Sequence, residues 1–506
     1  MHASRSTPSL LRRTNPRVIF AVFFLGFVGY YTGRLSTSGS RPPPPPTSRN
    51  VRGVGAGVVP EPQVVEAEPL TVTVRPPQVT VQGPQVTVQA PQATVTVTTE
   101  VFIPKADIPE EPVVLNGPPT QAFQDNLRPD VQYITVWPGS GFTNDVMSFM
   151  NLIYLSILTQ RVPIMPFFTP THVAKLSSVP VPPIDFGVVF DVPRLAKGLG
   201  KPVIEWWQVK DRNSTTIDPL GCWNVWQAVG KSNKGPHFTT APKRLNVDVS
   251  WTIAPNWIKL FKDSPEEPHM RFTSLMALSF PEMRRKNLKT PSKSPILKTE
   301  LPPDDHLVCF DDMYWTANVE PHEFQHDYST SWRFVGKHLH WNPRIEGLAR
   351  QYIRQTFGLS TDATIPSYIT IHVRHGDFGG WCRRPLDECF APLSAIARRV
   401  DEVKAELKQT KGITAQHVII TSDEKNSTWW DTVAPYGWYR VDHSTTVATY
   451  GAWYPLLIDA AIQSGGMGLV GTDLSTVSMI AGHRVKAWQD GAVRMVKWGK
   501  PGADDH

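Results

Sequence analysis

Three short runs of this 506-residue chain carry residue types that suit ligand chemistry at the ends of strands or the starts of helices. In Tyr368-Ile-Thr-Ile-His-Val-Arg374, the apolar Ile369, Ile371 and Val373 alternate with Thr370, His372 and Arg374. A strand's period of two puts His372 and Arg374 on one face, at the carboxyl end. The glycine-rich run His375-Gly-Asp-Phe-Gly-Gly-Trp-Cys382 follows, where open α/β sheets hold their ligands. The second run is Pro138-Gly-Ser-Gly-Phe-Thr-Asn-Asp145, between a strand and a helix. Its glycines allow close backbone approach at a helix N-terminus, where free N–H groups and the dipole favour an anion such as phosphate. It serves equally well as an ordinary turn, and Asp145 stands where the dinucleotide fingerprint has its third glycine. The third run is Thr472-Asp-Leu-Ser-Thr-Val-Ser478, whose hydroxyls at Ser475, Thr476 and Ser478 suit either helix capping or a diphosphate.

The pattern around these runs is strand, helix, strand, repeated. Segments 131–137 and 162–168 read as strands around an amphipathic helix at 146–160. In the second half, strands at 368–374, 416–423 and 468–471 alternate with helices at 392–409, 454–462 and from 475 to Arg484. The middle, 169–342, is rich in Pro, Trp and Lys; 203–207 and 306–310 read as strands, and 344–357 as a helix. The fold class is therefore α/β. The acidic doublets Asp304-Asp305 and Asp311-Asp312 read as solvated turns. No Cys-x-x-Cys or His-x₃-His spacing surrounds the four cysteines, so no metal site is expected.

Composition places this body late in the chain. All 17 tryptophans lie at or after Trp137, while the 48 prolines are about double ordinary usage. Arginines 12, 13 and 17 precede an uncharged apolar run at 18–31, which reads as a signal-anchor with a cytoplasmic tail at 1–17, a transmembrane segment at 18–33 and a lumenal body. Segment 34–128 reads as a disordered stem: five consecutive prolines at 42–46, then a seven-residue Pro-Gln-Val-Thr-type repeat from Pro77, with too little apolar content for a coiled coil. The net charge is +6, yet the eight arginines before Glu61 supply +8 and leave −2 for the rest, which argues against nucleic acid as a partner. Sequons at Asn213 and Asn426 and an even number of cysteines suit an oxidising lumen, with Cys382–Cys389 the expected local disulfide by proximity.

Taken together, Gly139-Ser-Gly-Phe-Thr-Asn144, Ile371-His-Val-Arg-His-Gly-Asp377 with Trp381-Cys382, Thr421-Ser-Asp423, and Ser475-Thr-Val-Ser478 before Arg484 resemble the GDP-fucose-dependent O-fucosyltransferase superfamily over about 130–500. The resemblance implies a GT-B fold of two Rossmann-like domains, 129–345 on the acceptor side and 346–506 on the donor side, facing a cleft. It implies GDP-fucose as donor, a protein or glycan acceptor, inversion, and no cofactor or required metal. A Golgi rather than endoplasmic-reticulum membrane is expected. Residue by residue, it gives Arg374 the β-phosphate and the charge on the departing GDP. His372, Asp377, Ser475, Thr476 and Ser478 go to the nucleotide, Gly139, Gly141 and Asn144 to the diphosphate and sugar, and Asp459 to the base or ribose. The chain departs from the family in lacking the arginine of the first glycine loop and a Glu beside Gly141-Phe142. Asp145 is the nearest carboxylate for a catalytic base, or a cap. A non-catalytic, membrane-tethered carbohydrate-binding or cell-wall-associated protein, and the same fold with another donor, are the competing readings.

Overall fold

A computed structural model describes residues 113–505 apart from 177–179, 231–232, 263 and 265–267. The expected tail, transmembrane segment and most of the stem lie outside these residues. Among those described, no helix is long and apolar enough to cross a membrane.

Two parallel sheets carry the body. The first contains β1 (Tyr133–Val136), β2 (Val162–Met165), β3 (Ile204–Glu205), β4 (Asp218–Asn224) and β5 (Val247–Ile253). A two-stranded ribbon pairs β6 (Met270–Arg271) with β8 (Thr316–Ala317), and β7 (Leu307–Phe310) completes the first sheet in the order β3-β2-β1-β7-β4-β5. The second sheet joins β9 (Tyr368–Val373), β10 (His417–Ser422), β11 (Tyr439–Arg440), β12 (Gly468–Thr472) and β13 (Ala492–Val496) in the order β11-β10-β9-β12-β13. Every pairing within both sheets is parallel. Parallel strands need crossovers, and five long helices supply much of the cover: α1 (Phe142–Thr159), α2 (Pro343–Thr356), α3 (Leu393–Lys411), α4 (Tyr454–Gly465) and α5 (Thr476–Gln489).

Burial corrects three sequence expectations. Helix α1 is buried nearly all round rather than on one face; only Asn144, Ile157 and Leu158 are partly open. A helix apolar on every side is a core helix, and α1 is clasped between the first sheet and helices of the second half, its residues sharing one apolar cluster with Leu457, Ile458 and Ile480. Strand β9 is likewise buried on both faces, so its alternation separates two kinds of interior rather than interior from solvent. The packed body also starts before the expected stem boundary at 128. Leu115 bridges Leu127, Phe123 is 2% exposed with its ring edge-on to Trp206 at 5.5 Å, and Asn126 donates to the carbonyls of Gln208 and Val209. A stretch with one aromatic residue can anchor firmly when buried backbone groups are satisfied.

Cys222–Cys309 ties β4 to β7, and Cys382–Cys389 closes the loop after β9, as expected. Segment 203–207 bends after two strand residues, because Glu205 and Gln208 form a reciprocal capping box that starts a short helix at Trp206.

Candidate functional site

In the second sheet the chain starts in the middle and winds outward both ways, with a switch point between β9 and β12; in the first it winds outward from β1 to β3, crosses to β4 and β5, and returns with β7 beside β1, so the order reverses between β1 and β7. Crevices at the carboxyl ends of such strands are where doubly wound sheets bind ligands. The three sequence runs occupy these ends. Gly139–Asn144 follows β1, Arg374 follows β9, and Ser475–Thr476 follows β12.

The two switch points meet through helix N-termini. Thr476 Oγ1 lies 2.7 Å from Thr143 Oγ1 and donates to Asn144 Oδ1 at 3.0 Å, joining the first turn of α5 to the first turn of α1. Each first turn has N–H groups without an intrahelical acceptor, and each dipole presents its positive end. Ser475 caps α5, its Oγ accepting from the Ser478 N–H at 3.5 Å.

Arg374 is held from three sides. Its guanidinium pairs with Asp423 and, at 2.6 Å, with the exposed Asp377, and it lies 5.7 Å from the Phe378 ring centroid. Its backbone N–H donates to Thr472 Oγ1 at 2.9 Å. About a quarter of the side chain remains open to solvent. Asp423 also accepts from the His375 N–H at 2.9 Å, while the His375 ring contacts Glu424 at 2.7 Å and stacks on Phe390 at 4.1 Å. A small crevice of about 20 Å³ opens here, lined by His372, Arg374, His375, Phe390, Gly471 and Trp498.

His372 reaches this crevice as a neutral group. Burial, helped by the nearby Arg374 charge, lowers its pKa to about 3, and its Nδ1 lies 2.7 Å from Ser478 Oγ. Ser478 Oγ also accepts the Thr472 N–H at 3.0 Å, which leaves its own hydroxyl proton available to Nδ1 of the neutral ring. Ser478 is fully buried, which corrects its assignment to a ligand: it positions His372 and the end of β12.

The structure also moves Asp145 and Asp459 out of the expected site. Asp145 is 1% exposed and lies beneath the glycine loop, accepting the N–H groups of Ser140 at 3.0 Å and Gly139 at 3.3 Å. Its burial, opposed by those two donors, pushes the carboxyl up to about 7. It fixes the loop. Asp459 takes His443 Nε2 at 2.8 Å beside Tyr352 and Thr446, and none of its contacts touches the two loops. Arg484, part of the motif, is buried with its guanidinium 4.2 Å from the Trp341 ring centroid.

Two features of the site escaped the sequence reading. The doublet Asp311-Asp312 is buried at the end of β7, not solvated: Asp311 accepts the N–H groups of Val225, Trp226 and His237. The only sequence signal was its position directly after an apolar strand. His172 packs against the glycine loop, where a Cβ on Gly141 would come within 2.9 Å of its Nδ1. Gly139 is required by a closer approach, since a Cβ there would lie 2.0 Å from the Phe238 carbonyl oxygen. Asn213 and Asn426 are both exposed; Asn426 caps a short helix, accepting from the Thr428 N–H at 3.0 Å. Among the described residues, no group of three or more His, Cys, Asp or Glu side chains is placed to hold a metal ion.

No family model and no curated protein matches the chain. Solved structures similar to it include fucosyltransferases. POFUT1 in complex with GDP-fucose is 17% identical, with 73% of this chain and 98% of that chain covered and a TM-score of 0.44. The fucosyltransferase NodZ from Bradyrhizobium is 14% identical, with 70% and 93% covered and a TM-score of 0.33. At such identities and TM-scores, what this chain does has to be argued from its own residues.

Proposed function

We propose that the protein is a GT-B-type glycosyltransferase that moves fucose from GDP-fucose to a hydroxyl of a protein or glycan acceptor, with inversion at the sugar carbon. The observation that carries this reading is the placement of Arg374 at the β9–β12 switch point, opposite the Gly139–Asn144 loop, with the N-termini of α1 and α5 joined through Thr476. A diphosphate bound between Arg374 and these helix N-termini would meet one fixed cation and the positive ends of two helix dipoles. The choice of guanosine and fucose rests on the sequence resemblance.

The chemistry follows from the charge that develops. When the bond from the sugar carbon to the β-phosphate oxygen breaks, negative charge grows on the diphosphate, and a guanidinium held in place stabilises it without reorganising. Arg374 suits this because its planar fork is fixed by Asp423 and Phe378 and presents two parallel N–H donors to a phosphate. The exposed Asp377 is the partner a phosphate can displace. Neutral His372, held by Ser478, offers Nε2–H as a donor. The acceptor hydroxyl attacks from the face opposite the diphosphate and loses its proton as the new bond forms. With Asp145 buried, this step has no assigned carboxylate base.

An N-terminal signal-anchor and a stem would hold the body in a Golgi lumen as a type II membrane protein, in which both disulfides form and both exposed sequons accept glycans. The test is to incubate the full-length protein with GDP-fucose and with UDP-sugars and follow release of the nucleoside diphosphate. Release of GDP alone, abolished by Arg374→Ala in a folded variant, is the expected result. A β-linked to α-linked change at the sugar carbon, read by proton NMR of the product, checks inversion. Turnover of a UDP-sugar instead would replace the donor assignment.

A further inference from the structure

The first sheet holds a second cavity that the donor site does not use. It opens beside the carboxyl ends of β2 and β3 with a volume of about 270 Å³, near the lower end of the size range of small-ligand sites. Strand β2 pairs with β1, the strand that leads into the glycine loop. Its wall includes Trp207, Arg212, Arg244, Asp185, Asp211 and Glu205.

The composition of this wall selects a class of ligand. Trp207 is 40% exposed although it follows directly on a fully buried tryptophan. The result is a flat aromatic surface at a cavity mouth. The face of an aromatic ring is negative, and the axial C–H bonds of a pyranose are weakly positive, so a sugar ring stacks on such a surface. The charged groups around it come in both signs. Arg212 pairs with Asp185 at 2.5 Å, with its guanidinium 5.6 Å from the Trp207 centroid. Arg244 has no ion-pair partner among the described residues, and Asp211 belongs to the same wall, its Oδ1 accepting the Asn213 N–H at 2.8 Å. Planar carboxylates and guanidinia side by side match vicinal hydroxyls, each of which donates and accepts. Balanced charge gives no preference for an anion.

We infer that this cavity is a binding site for a neutral saccharide, with a pyranose ring stacked on Trp207 and its hydroxyls taken by Asp185, Asp211 and Arg244. The inference deepens the transferase reading, on which its role as an acceptor subsite rests, by naming a glycan as the acceptor class. The same chemistry has a second source. Asn213 is an exposed sequon directly after Arg212, so the chain's own N-glycan could supply the sugar.

The test titrates the full-length protein and its Asn213→Gln variant with xylotetraose, mannotetraose, galactotetraose and cellotetraose, reading tryptophan fluorescence and saturation-transfer NMR, with GDP titrated in parallel. Expected is binding of at least one tetrasaccharide, weakened about tenfold or more by Trp207→Ala and by Arg244→Ala, each with unchanged GDP affinity. Binding that appears only in Asn213→Gln supports the saccharide site and makes the chain's own glycan its resident. Arg374→Ala should lose GDP and keep the saccharide, so failure of the donor assignment and failure of this site are read separately. No tetrasaccharide bound by either protein, or binding indifferent to both wall substitutions in folded variants, overturns the inference.

Discussion

Arg374 shows how one residue can be poised without being free. Both guanidinium edges are occupied, by Asp423 and by Asp377, yet the Asp377 pair is exposed and contributes at most about 1 kcal/mol. A diphosphate therefore displaces Asp377 at little cost, and Asp377→Asn should tighten GDP binding by up to about fivefold in a calorimetric titration. A weakening would mean that Asp377 itself supports the nucleotide. Arg374→Ala should lower kcat/KM by about 10²–10³-fold, and Arg374→Lys should not recover it, because an ammonium cannot hold Asp423 and a phosphate in one plane. His372 is tested by histidine-labelled NMR. With its pKa lowered to about 3, its ring should stay neutral, protonated on Nε2, at about pH 5, where an ordinary histidine near 6.5 is mostly charged. The sequence showed His372 and Arg374 at a strand's end. It could not show that Ser478 faces His372 rather than a ligand, because that pairing spans 106 residues.

At the scale of elements, the two helix N-termini are what the sequence displayed best. Short strand, glycine or hydroxyl turn, apolar helix is a local pattern, and it survived at β1–α1 and β12–α5 with boundaries within a few residues. What failed was the surroundings of those elements. Alternation in β9 and in 146–160 looked half-solvated, and acids at 145, 311 and 312 looked like turn residues, since burial is decided by segments far away in the chain. Asp145 converts this into a measurement. Its carboxyl is raised from an ordinary 3.8 to about 7, so the folded protein binds a proton that the unfolded chain has released. Its stabilising contribution is present in full below about 3.8 and is lost as pH rises through 7. Asp145→Asn keeps an oxygen for the Gly139 and Ser140 N–H groups and removes the titration. The variant should gain roughly 1–4 kcal/mol relative to the parent between about pH 5 and 8 in denaturant unfolding. Parallel curves would contradict the raised value. Replacing Cys382 and Cys389 together by serine should cost about 2–3 kcal/mol, because the bridge closes only a short loop, and should weaken GDP binding through the Arg374 segment.

For the whole molecule, the tryptophan distribution located the body, and charge bookkeeping removed a misleading basic signal. The first sheet's order was not legible, because β4, β5 and β7 lie in a proline-rich middle whose helices span only one or two turns. Nor was the segment from 113 to 128, whose single buried phenylalanine gives no periodicity. The two sheets share one apolar cluster, and Arg484 contributes a cation to it: its guanidinium lies 4.2 Å from the Trp341 centroid and within 5.6 Å of Phe190 and Trp488. Arg484→Ala should cost about 2–4 kcal/mol through lost packing and lost cation–π contact, with Arg484→Lys only partly restoring it, as read by thermal unfolding.

The central claim, a GDP-sugar site built around Arg374 at the second switch point, is tested most directly by calorimetric titration of the full-length protein with GDP and UDP, with and without EDTA, beside Arg374→Ala. The account predicts GDP binding that exceeds UDP binding, survives EDTA and is lost in the folded variant. Binding of neither nucleotide by folded protein, or GDP binding indifferent to Arg374→Ala, would contradict it.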